Sequence, residues 1–427
     1  TANIDSIPLI ALTGQAVTSQ LGKDAFQCVD IAEICKTIAK ATWCVTNPQD
    51  VPRVMREAFK IAREGKPGPV LIDLPLDVQM ADIDYDPDKD HSLPLKEVKP
   101  DLNEIKKAVD LLLEAKAPVM IMGGGVILSG AEKEFIELAE YLQIPVITTY
   151  MAKGGIPVNH PLNAGHAGIQ VGQPIGNKIL SESDVVLGIG CRFTDRHTGN
   201  VAVYKKGKKF IHINIEPREI GKIIEAEIGI VSDAKLAINA MLDEVKARIP
   251  RREPCERVKA LPALREALKR KTDYDNVPIK PQRVYQEMNK VFDENTIFTT
   301  GCGLTQIWSG QLQEINKPRR YLPSGGAGTL GFDIPAAIGA AVANPGTKCV
   351  AVMGDLGFTF LVEELAVAAK HKLPVVVVLV NNAYLGLIRQ NQKYAYGYEY
   401  AVEMSENHGL VDYVKVAEGF GCKAERV

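Results

Sequence analysis

The residues with the clearest chemical potential are Asp355 and Asn382, which each follow an apolar run in the segment VAVMGDLGFTFLVEELAVAAKHKLPVVVVLVNN. Carboxylate and amide oxygens are hard ligands that suit Mg²⁺, and substrate phosphates can complete its octahedron. Gly354 and Gly357 allow a phosphate to approach the backbone closely, and a helix N-terminus can receive its charge. Together the two polar positions predict a site for a metal-bound diphosphate, whereas either position alone is also compatible with an ordinary turn.

Apolar runs around these two residues predict one strand–helix–strand unit. Residues 350–353 form a short buried run, and residues 375–380 form a β-branched run typical of a strand covered on both faces. Residues 360–372 carry apolar side chains at helical spacing. Because a right-handed crossover makes the two strands parallel, Asp355 and Asn382 are expected at one edge of the sheet, where α/β proteins bind ligands.

Length and composition indicate an ordinary globular protein of several domains. The 427 residues correspond to about two to four domains. With 46% hydrophobic and 24% charged residues and a net charge of −2, the chain gives no support for a nucleic-acid or membrane surface. No apolar run approaches the ~20 residues of a membrane span. The eight cysteines form no CxxC pair, so we expect reduced thiols and a cytoplasmic location.

Alternating strands and helices predict an α/β fold with three doubly wound parallel-sheet domains. Residues 1–80 are interpreted as the C-terminal part of a first domain, 101–248 as a central domain, and 263–427 as a third domain. Residues 80–100, rich in Asp and Pro, and the charged segment 249–259 are predicted linkers. Because apolar runs lie close to Thr1 and the last sheet has barely begun before Val427, we expect the first and last domains to be incomplete.

The central domain carries three features at the predicted carboxyl ends of its strands. Gly123, Gly124 and Gly125 follow one strand, Arg192 and Arg196 follow another, and Glu216 follows a third. A phosphate could approach the glycines, and an acidic group there could accept a ribose hydroxyl bond. Each feature by itself is also explained by a tight turn or a surface ion pair. Their shared position favours a nucleotide site.

Motifs along nearly the whole chain resemble the acetohydroxyacid synthase-like branch of thiamine diphosphate enzymes. They are TGQ, DAFQ, KPGPVLIDLP, GGGV, RFTDRHTG, HINIEPREIGK, SDAK, SGGAGTLGFDIPAAIGA and VNNAYLGLIRQ. The resemblance implies pyrimidine-binding, FAD-binding and diphosphate-binding domains, with a flavin that has no net redox role. The usual Gly-Asp-Gly of the cofactor signature reads Gly-Asp-Leu here, with Leu356 in the third position.

The same resemblance assigns ligands to particular residues. The Mg²⁺ ligands would be Asp355, Asn382 and the backbone oxygen of Tyr384. The thiamine diphosphate contacts would be Gly303, Gln306, Gly328, Gly354, Gly357, Tyr384 and Gly386. The FAD contacts would be Lys66, Gly123, Gly124, Gly125, His166, Arg192, Asp195, Glu216 and Asp233, of which Lys66 stands where many relatives have Arg.

Catalytic roles also follow from the resemblance. Leu330 would hold the cofactor bent, and Leu385 and Ile388 would form an apolar wall that excludes water. Arg196 is the candidate for binding an acceptor carboxylate, because a planar guanidinium binds carboxylates in a bidentate way. Phe26 and Gln27 would reach the cofactor of a neighbouring subunit in a homodimer or homotetramer. The residue at the usual catalytic Glu position would lie upstream of Thr1.

Two positions distinguish subfamilies of this branch. Acetohydroxyacid synthases carry Lys where this chain has Leu76, and Trp where it has Asn391. These residues, with RHTGN and DNVPIKPQRVYQEMNK, make the chain similar to the glyoxylate carboligases, which join two glyoxylates with loss of CO₂ to give tartronate semialdehyde. Three alternatives stay open: an acetohydroxyacid synthase acting on pyruvate, a flavin-dependent oxidase, and a non-catalytic nucleotide-binding fragment.

Overall fold

Two structural units make up the chain, Thr1–Val98 and Lys99–Val427. The structure, a computed structural model, describes residues 1–404 and 411–427. The first unit contains one parallel sheet and the second contains two, each with helices between its strands. This arrangement confirms the predicted α/β class with three parallel sheets. Among the described helices, none is long and apolar enough to cross a membrane.

The thirteen strands of the described residues are numbered in chain order. They are β1 (Leu9–Gln15), β2 (Thr42–Cys44), β3 (Pro69–Pro75), β4 (Val119–Met122), β5 (Val146–Thr148), β6 (Asn163–His166), β7 (Val185–Ile189), β8 (Lys209–Asn214), β9 (Ile228–Val231), β10 (Ile297–Thr300), β11 (Tyr321–Pro323), β12 (Cys349–Gly354) and β13 (Val375–Val380).

The α-helices are identified by their residue ranges. Those of the first unit are Ala2–Asp5, Ile31–Cys35, Val51–Arg63 and Leu76–Met80. Those around the central sheet are Leu102–Glu114, Gly124–Leu128, Glu132–Leu142, Pro174–Ser181, Asp195–Thr198, Val201–Tyr204, Ala234–Arg248, Glu256–Lys259 and Leu261–Ala267. Those around the last sheet are Pro281–Val291, Gly303–Leu312, Asp333–Ala343, Asp355–Thr359, Leu365–Lys370, Gly386–Asn391 and Tyr413–Gly419.

The first unit is built on the strand order β1-β3-β2. Its middle strand is a nearly continuous apolar run, as expected for a strand flanked on both sides. The helix Val51–Arg63 buries Val54, Ala58 and Ala62, which follow one another at four-residue spacing and so share one face of the helix. After Met80 the chain contains no α-helix or strand up to Pro100, which agrees with the predicted linker.

The central sheet has the order β6-β5-β4-β7-β8-β9 and a hydrophobic core on both faces. Its inner strand β4 is fully buried, and the amphipathic helices Leu102–Glu114 and Glu132–Leu142 contribute to one core. Sequence analysis missed β6 and β9, because their short runs contain glycine and lack a clear alternation. The predicted linker 249–259 is partly wrong, since it ends in the helix Glu256–Lys259, which buries Val258 in the core.

The last sheet has the order β11-β10-β12-β13, and the predicted strand–helix–strand unit requires two corrections. The helix predicted over 360–372 is shorter: Leu361 has a φ of 55°, and the regular helix runs only over Leu365–Lys370. Close packing of Phe360 against Gly331 accompanies this break. The strand β13 was predicted to be covered on both faces, but it lies at the sheet edge and leaves Val376 exposed.

Candidate active site

The last sheet brings four strand ends to one edge. Because β11, β12 and β13 all pair in parallel with their neighbours, the loops that follow β10, β11, β12 and β13 all leave the same edge. The order of the strands reverses between β10 and β12, since the chain moves outward to β11 and then returns to the other side of β10. Such a switch point leaves a crevice at the carboxyl ends of the strands, where α/β proteins bind ligands.

Asp355 and Asn382 meet at this edge, as predicted. The Asp355 carboxylate is 3% exposed, and its Oδ2 accepts hydrogen bonds from the N–H groups of Asn382 (3.2 Å) and Ala383 (2.7 Å). The Asn382 Oδ1 accepts the Tyr384 N–H at 3.1 Å. Burial raises the pKa of Asp355, although the backbone N–H groups lower it in part. A cation beside this carboxylate would therefore stabilise its charged form.

A returning segment of the chain holds the turn after β13 in place. The Leu385 N–H donates to Val402 O at 2.8 Å, and the Met404 N–H donates to Ala383 O at 2.9 Å. Ala383 has a φ of 56°, so the turn is tight. A Cβ atom added at Gly386 would lie 2.6 Å from the Leu304 side chain. The turn after β13 therefore packs directly against the helix that follows β10.

The glycines at this edge leave the space that a diphosphate needs. A Cβ atom added at Gly303 or Gly354 would meet no atom within 4 Å, and one added at Gly357 would make only ordinary contacts. Gly303 also has a φ of 86°, which favours glycine. The helix Gly303–Leu312 begins here without a side-chain cap, so its first N–H groups can receive an anion. This donor set fits a diphosphate with a divalent cation.

Gln306 and Arg196 form a part-buried hydrogen bond beside the turn that precedes Gly303. The Gln306 side chain is 2% exposed, and its Nε2 donates to Ser324 O at 3.0 Å and to Gly301 O. Arg196 Nη2 donates to Gln306 Oε1 at 3.0 Å, and its Nη1 donates to Gly325 O at 3.2 Å. Both side chains thus hold the loops after β10 and β11. Direct contacts of Gln306 with the diphosphate and of Arg196 with a carboxylate stay predictions that this geometry does not favour.

The remaining predicted residues of this edge differ in exposure. Leu330 is half-buried in the loop after β11, where Gly328 has a φ of 60°. Leu385 is half-buried in the turn after β13, while Ile388 is 53% exposed on the helix Gly386–Asn391. These residues all lie in segments that leave the same edge of the sheet. A role at the cofactor requires this placement.

The glycine triplet of the central sheet is explained by close packing. A Cβ atom added at Gly123 would overlap Gly190 O, and one added at Gly125 would lie 2.7 Å from the Gly190 Cα. One added at Gly124 would lie 3.0 Å from the Met151 side chain. The order of this sheet reverses between β4 and β7, so the triplet nevertheless stands at a switch point suited to a ligand.

Some of the other predicted nucleotide-binding residues are available to a ligand, and others make the contacts of an ordinary turn or ion pair. Arg192 is half-buried after β7, and within the described residues it forms no hydrogen bond or ion pair, which leaves it available to an anion. Asp195 begins a short helix and is exposed. Glu216 pairs with Arg218 at 2.8 Å, and Asp233 caps the helix Ala234–Arg248 by accepting two N–H groups. A flavin site here stays a prediction.

Comparison with known proteins identifies the family of the chain. Residues 105–241 match the family described as "Thiamine pyrophosphate enzyme, central domain", and residues 301–427 match "Thiamine pyrophosphate enzyme, C-terminal TPP binding domain". A glyoxylate carboligase of Escherichia coli O157:H7 is 47% identical over 438 residues, which cover 100% of this chain and 74% of that protein. The chain belongs to the thiamine pyrophosphate enzymes.

Acetolactate synthases are also similar to this thiamine pyrophosphate enzyme. A probable acetolactate synthase large subunit of Methanococcus aeolicus is 40% identical and covers 100% of this chain and 74% of its own length. An acetolactate synthase large subunit of Corynebacterium glutamicum is 40% identical, with 100% of this chain and 69% of that protein covered. The chain is therefore a thiamine diphosphate-dependent enzyme of the same group as these synthases.

Four residues singled out by sequence analysis lie in the first unit. Phe26 is 88% exposed, and Gln27 beside it is exposed with a φ of 58°. Lys66 is half-buried in the turn between the helix Val51–Arg63 and β3. Leu76, which is 50% exposed, begins the helix Leu76–Met80. Their predicted roles in subunit contact, flavin binding and subfamily identity stay predictions.

Lys153 and Asp333 are buried titratable residues that sequence analysis missed, and Lys153 contacts the predicted flavin residue His166. Lys153 donates from Nζ to Gly310 O at 2.8 Å and lies 3.2 Å from His166 Nε2, whose other ring nitrogen contacts Thr148. Burial lowers the pKa of Lys153 to about 7, and burial lowers the pKa of His166 well below its usual value. Lys153 and Asp333 each interrupt a glycine-rich or apolar stretch, a signal that could have identified them.

Proposed function

We propose that this thiamine diphosphate-dependent enzyme is a carboligase that joins two glyoxylate molecules, releasing CO₂ and giving tartronate semialdehyde. The observation that carries the thiamine diphosphate chemistry of the proposal is the buried Asp355 carboxylate, bonded to the turn at Asn382 beside the uncapped helix Gly303–Leu312. Two glyoxylate anions and one proton give one tartronate semialdehyde anion and one CO₂, so the reaction needs no oxidant.

The residues of the strand edge would hold the cofactor in complementary ways. Asp355, Asn382 and the Tyr384 carbonyl would bind Mg²⁺ through oxygen, and the open positions at Gly303 and Gly354 would admit the diphosphate. Thiamine diphosphate would supply the electron sink for loss of CO₂ from a 2-oxo acid. The apolar side chain of Leu330 would hold the cofactor in its bent conformation.

Exclusion of water is the second contribution of the chain. The one-carbon group that remains of a glyoxylate after loss of CO₂ would be protonated if it met water instead of an aldehyde. Apolar side chains beside the reacting carbon would therefore protect the joining of the two molecules. Leu385 and Ile388 follow the metal-binding turn, with Leu385 fixed by its N–H bond to Val402. We assign both to the wall that faces the second glyoxylate.

The choice of glyoxylate over pyruvate rests on Asn391 and Leu76. Asn391 ends the helix Gly386–Asn391 and is exposed, so no aromatic surface is offered there to the alkyl group of a larger acceptor. A single methyl group changes binding by only ~1–3 kcal/mol, which corresponds to a preference of about 10–200-fold. The 47% identity to a protein named glyoxylate carboligase supports the same choice.

The test compares kcat/KM for tartronate semialdehyde and acetolactate formation by the full-length protein. We expect glyoxylate to be preferred by about 10–200-fold and Asn391→Trp to reduce that ratio. Gln390→Trp is the matched control, because it adds the same ring at the adjacent exposed position of the helix. Faster acetolactate formation would favour the synthase alternative, and absence of both products would favour a non-catalytic nucleotide-binding protein.

We also propose that the central sheet binds FAD in a role without net redox chemistry. The glycines after β4, Arg192 after β7 and Glu216 after β8 stand at the carboxyl ends of three adjacent strands. Arg192 supplies a cation for the pyrophosphate, and the reversal of strand order between β4 and β7 supplies the crevice. The active sites are expected to lie between subunits of a homodimer or homotetramer.

A further inference from the structure

Asp333 is a buried carboxylate that none of the proposed cofactor contacts uses. It is 2% exposed and begins the helix Asp333–Ala343, whose other residues are apolar or small. A carboxylate in the first turn of a helix is favoured by the helix dipole, but burial of its charge has a substantial cost. Such a group requires a partner inside the protein.

That partner is the first residue after β10. Asp333 Oδ1 accepts a hydrogen bond from the Gly301 N–H, and the Thr299 hydroxyl donates to the Asp333 carbonyl at 2.7 Å. A Cβ atom added at Gly301 would lie 2.5 Å from Asp333 Oδ2 and 2.6 Å from Thr329 O. Gly301 is therefore enclosed between the carboxylate and the loop after β11, and no larger residue fits.

Gly301 begins the turn that presents the helix N-terminus to the diphosphate. Its carbonyl accepts from Gln306 Nε2, Cys302 precedes the helix without a side-chain cap, and Gly303 takes its positive φ immediately afterwards. The orientation of the first free N–H groups thus depends on how Gly301 is held. Both polar groups of its backbone are bound, one by Asp333 and one by Gln306.

We propose that Asp333 is a positioning residue: its carboxylate fixes the turn 301–303 and so aligns the N-terminus of the helix Gly303–Leu312 with the cofactor diphosphate. The proposal rests on the thiamine diphosphate site proposed above. It assigns to Asp333 no contact with the cofactor or the substrate.

The charge of this carboxylate changes within an accessible pH range. Burial raises the pKa of Asp333 to about 7. The Asp333 charge interacts with three titratable groups: Tyr285 on the helix Pro281–Val291, Tyr321 on β11 and Cys302 in the turn. Burial raises the pKa of each. These three stay neutral near pH 7. Lys153, whose pKa burial lowers to about 7, bonds Gly310 on the same helix, so a pH effect there is attributed to Asp333 only where Asp333→Asn removes it.

Cofactor affinity and folding stability should depend on pH in opposite directions. A hydrogen bond to an ionised acceptor is roughly twice as strong as one to a neutral acceptor, so the turn is held best above pH 7. Cofactor affinity should therefore rise with pH through 7. Because the folded pKa lies above the usual aspartate value of 3.8, the contribution of Asp333 to folding stability is present below that value and is lost as pH rises through about 7.

The experiment measures the affinity for thiamine diphosphate with Mg²⁺ by calorimetry between pH 6 and 8.5, and amide exchange at Gly301 without cofactor. We expect Asp333→Ala to weaken binding about tenfold and to lose protection of the Gly301 N–H. Asp333→Asn keeps an acceptor and loses the charge, so it should bind within about threefold of the native protein near pH 6. Its affinity relative to the native protein should fall at higher pH.

Thr299→Val is the matched control, because it removes the hydroxyl bond to the same helix start and leaves the carboxylate in place. Native affinity and native exchange in both Asp333 variants at every pH would overturn the proposal. If Asp333→Ala does not fold, the pH dependence of Asp333→Asn decides. A native protein that binds no thiamine diphosphate would contradict the proposed function instead, while amide exchange would still report on the turn.

Discussion

At the scale of single residues, Asp355 is the side chain on which the candidate site depends. Its two oxygens accept the N–H groups of Leu356, Asn382 and Ala383, so the carboxylate joins the end of β12 to the turn after β13. Burial opposes its charge, which a divalent cation would offset. The same group therefore serves the local structure and would serve the proposed metal.

Asp355→Ala should lose Mg²⁺ and thiamine diphosphate together, because the diphosphate would then face the site without its counter-ion. We expect the affinity for both to fall by about 100-fold or more, since loss of outer-shell partners alone costs about 10–100-fold. Calorimetry on the full-length protein measures this change. Glu363→Ala removes an exposed carboxylate of the same strand–helix–strand unit and should leave the affinity unchanged. Unaltered binding by Asp355→Ala would exclude the site.

At the scale of elements, some glycines of this fold allow close backbone packing, whereas others occupy positions where a side chain would fit. Gly123 and Gly125 let the segments after β4 and β7 pack backbone to backbone, and Gly301 does the same against Asp333. Gly339, by contrast, lies on the helix Asp333–Ala343 with open space at its Cβ position and no positive φ. The strand ends that carry both candidate sites thus depend on close approach, whereas the helix does not.

This difference predicts opposite effects of the same substitution. Gly123→Ala should destabilise the fold by more than about 2 kcal/mol, because the added methyl overlaps the Gly190 carbonyl. Gly339→Ala should stabilise it by about 0.5–1 kcal/mol, because alanine is the better helix former. Urea denaturation midpoints of the two variants provide the measurement. Equal shifts in the two midpoints would show that Gly123 is not in close contact with Gly190.

At the scale of the whole molecule, the order of the strands reverses once in each of the two sheets of the unit Lys99–Val427. Each reversal is a position at which α/β proteins bind ligands. Arg196 follows β7 in the central sheet and reaches Gln306 and Gly325 beside the cofactor edge of the last sheet. Lys153 likewise reaches Gly310 from the central region. These contacts make the central sheet part of the support of the candidate site, and they support a structural role for the proposed flavin.

The purified protein should accordingly be yellow, release FAD on denaturation, and keep its carboligase activity with an unreducible flavin analogue. Arg192→Gln should lower flavin occupancy about tenfold, because it removes the half-buried cation. Arg251→Gln serves as the control, since Arg251 is exposed and pairs with Glu140, which is not a predicted flavin contact. Absorbance of the released flavin gives the occupancy. Activity proportional to flavin reduction would support the oxidase alternative.

The sequence by itself determined the class of the fold and the place of the main site. Apolar runs bounded by polar turns identify β12 and β13, and parallel connection then requires Asp355 and Asn382 to share an edge. Both inferences depend on local patterns, which sequence displays directly. The cofactor motif is equally local, because the metal ligands and the glycines lie within a few residues of strand ends.

Tertiary structure alone decided which polar side chains are available to a ligand and which are bonded within the protein. The Gln306 side chain is bonded to nearby Gly301, but it also bonds Ser324 and Arg196. Arg196 further bonds Gly325, and Asp333 bonds Gly301, through contacts between residues far apart in the chain. It also placed β13 at an edge and interrupted the predicted helix 360–372 at Leu361, where packing against the loop after β11 overrides helical periodicity. Sequence patterns record neither partner nor burial across such separations, because both arise only when the strands and loops are assembled.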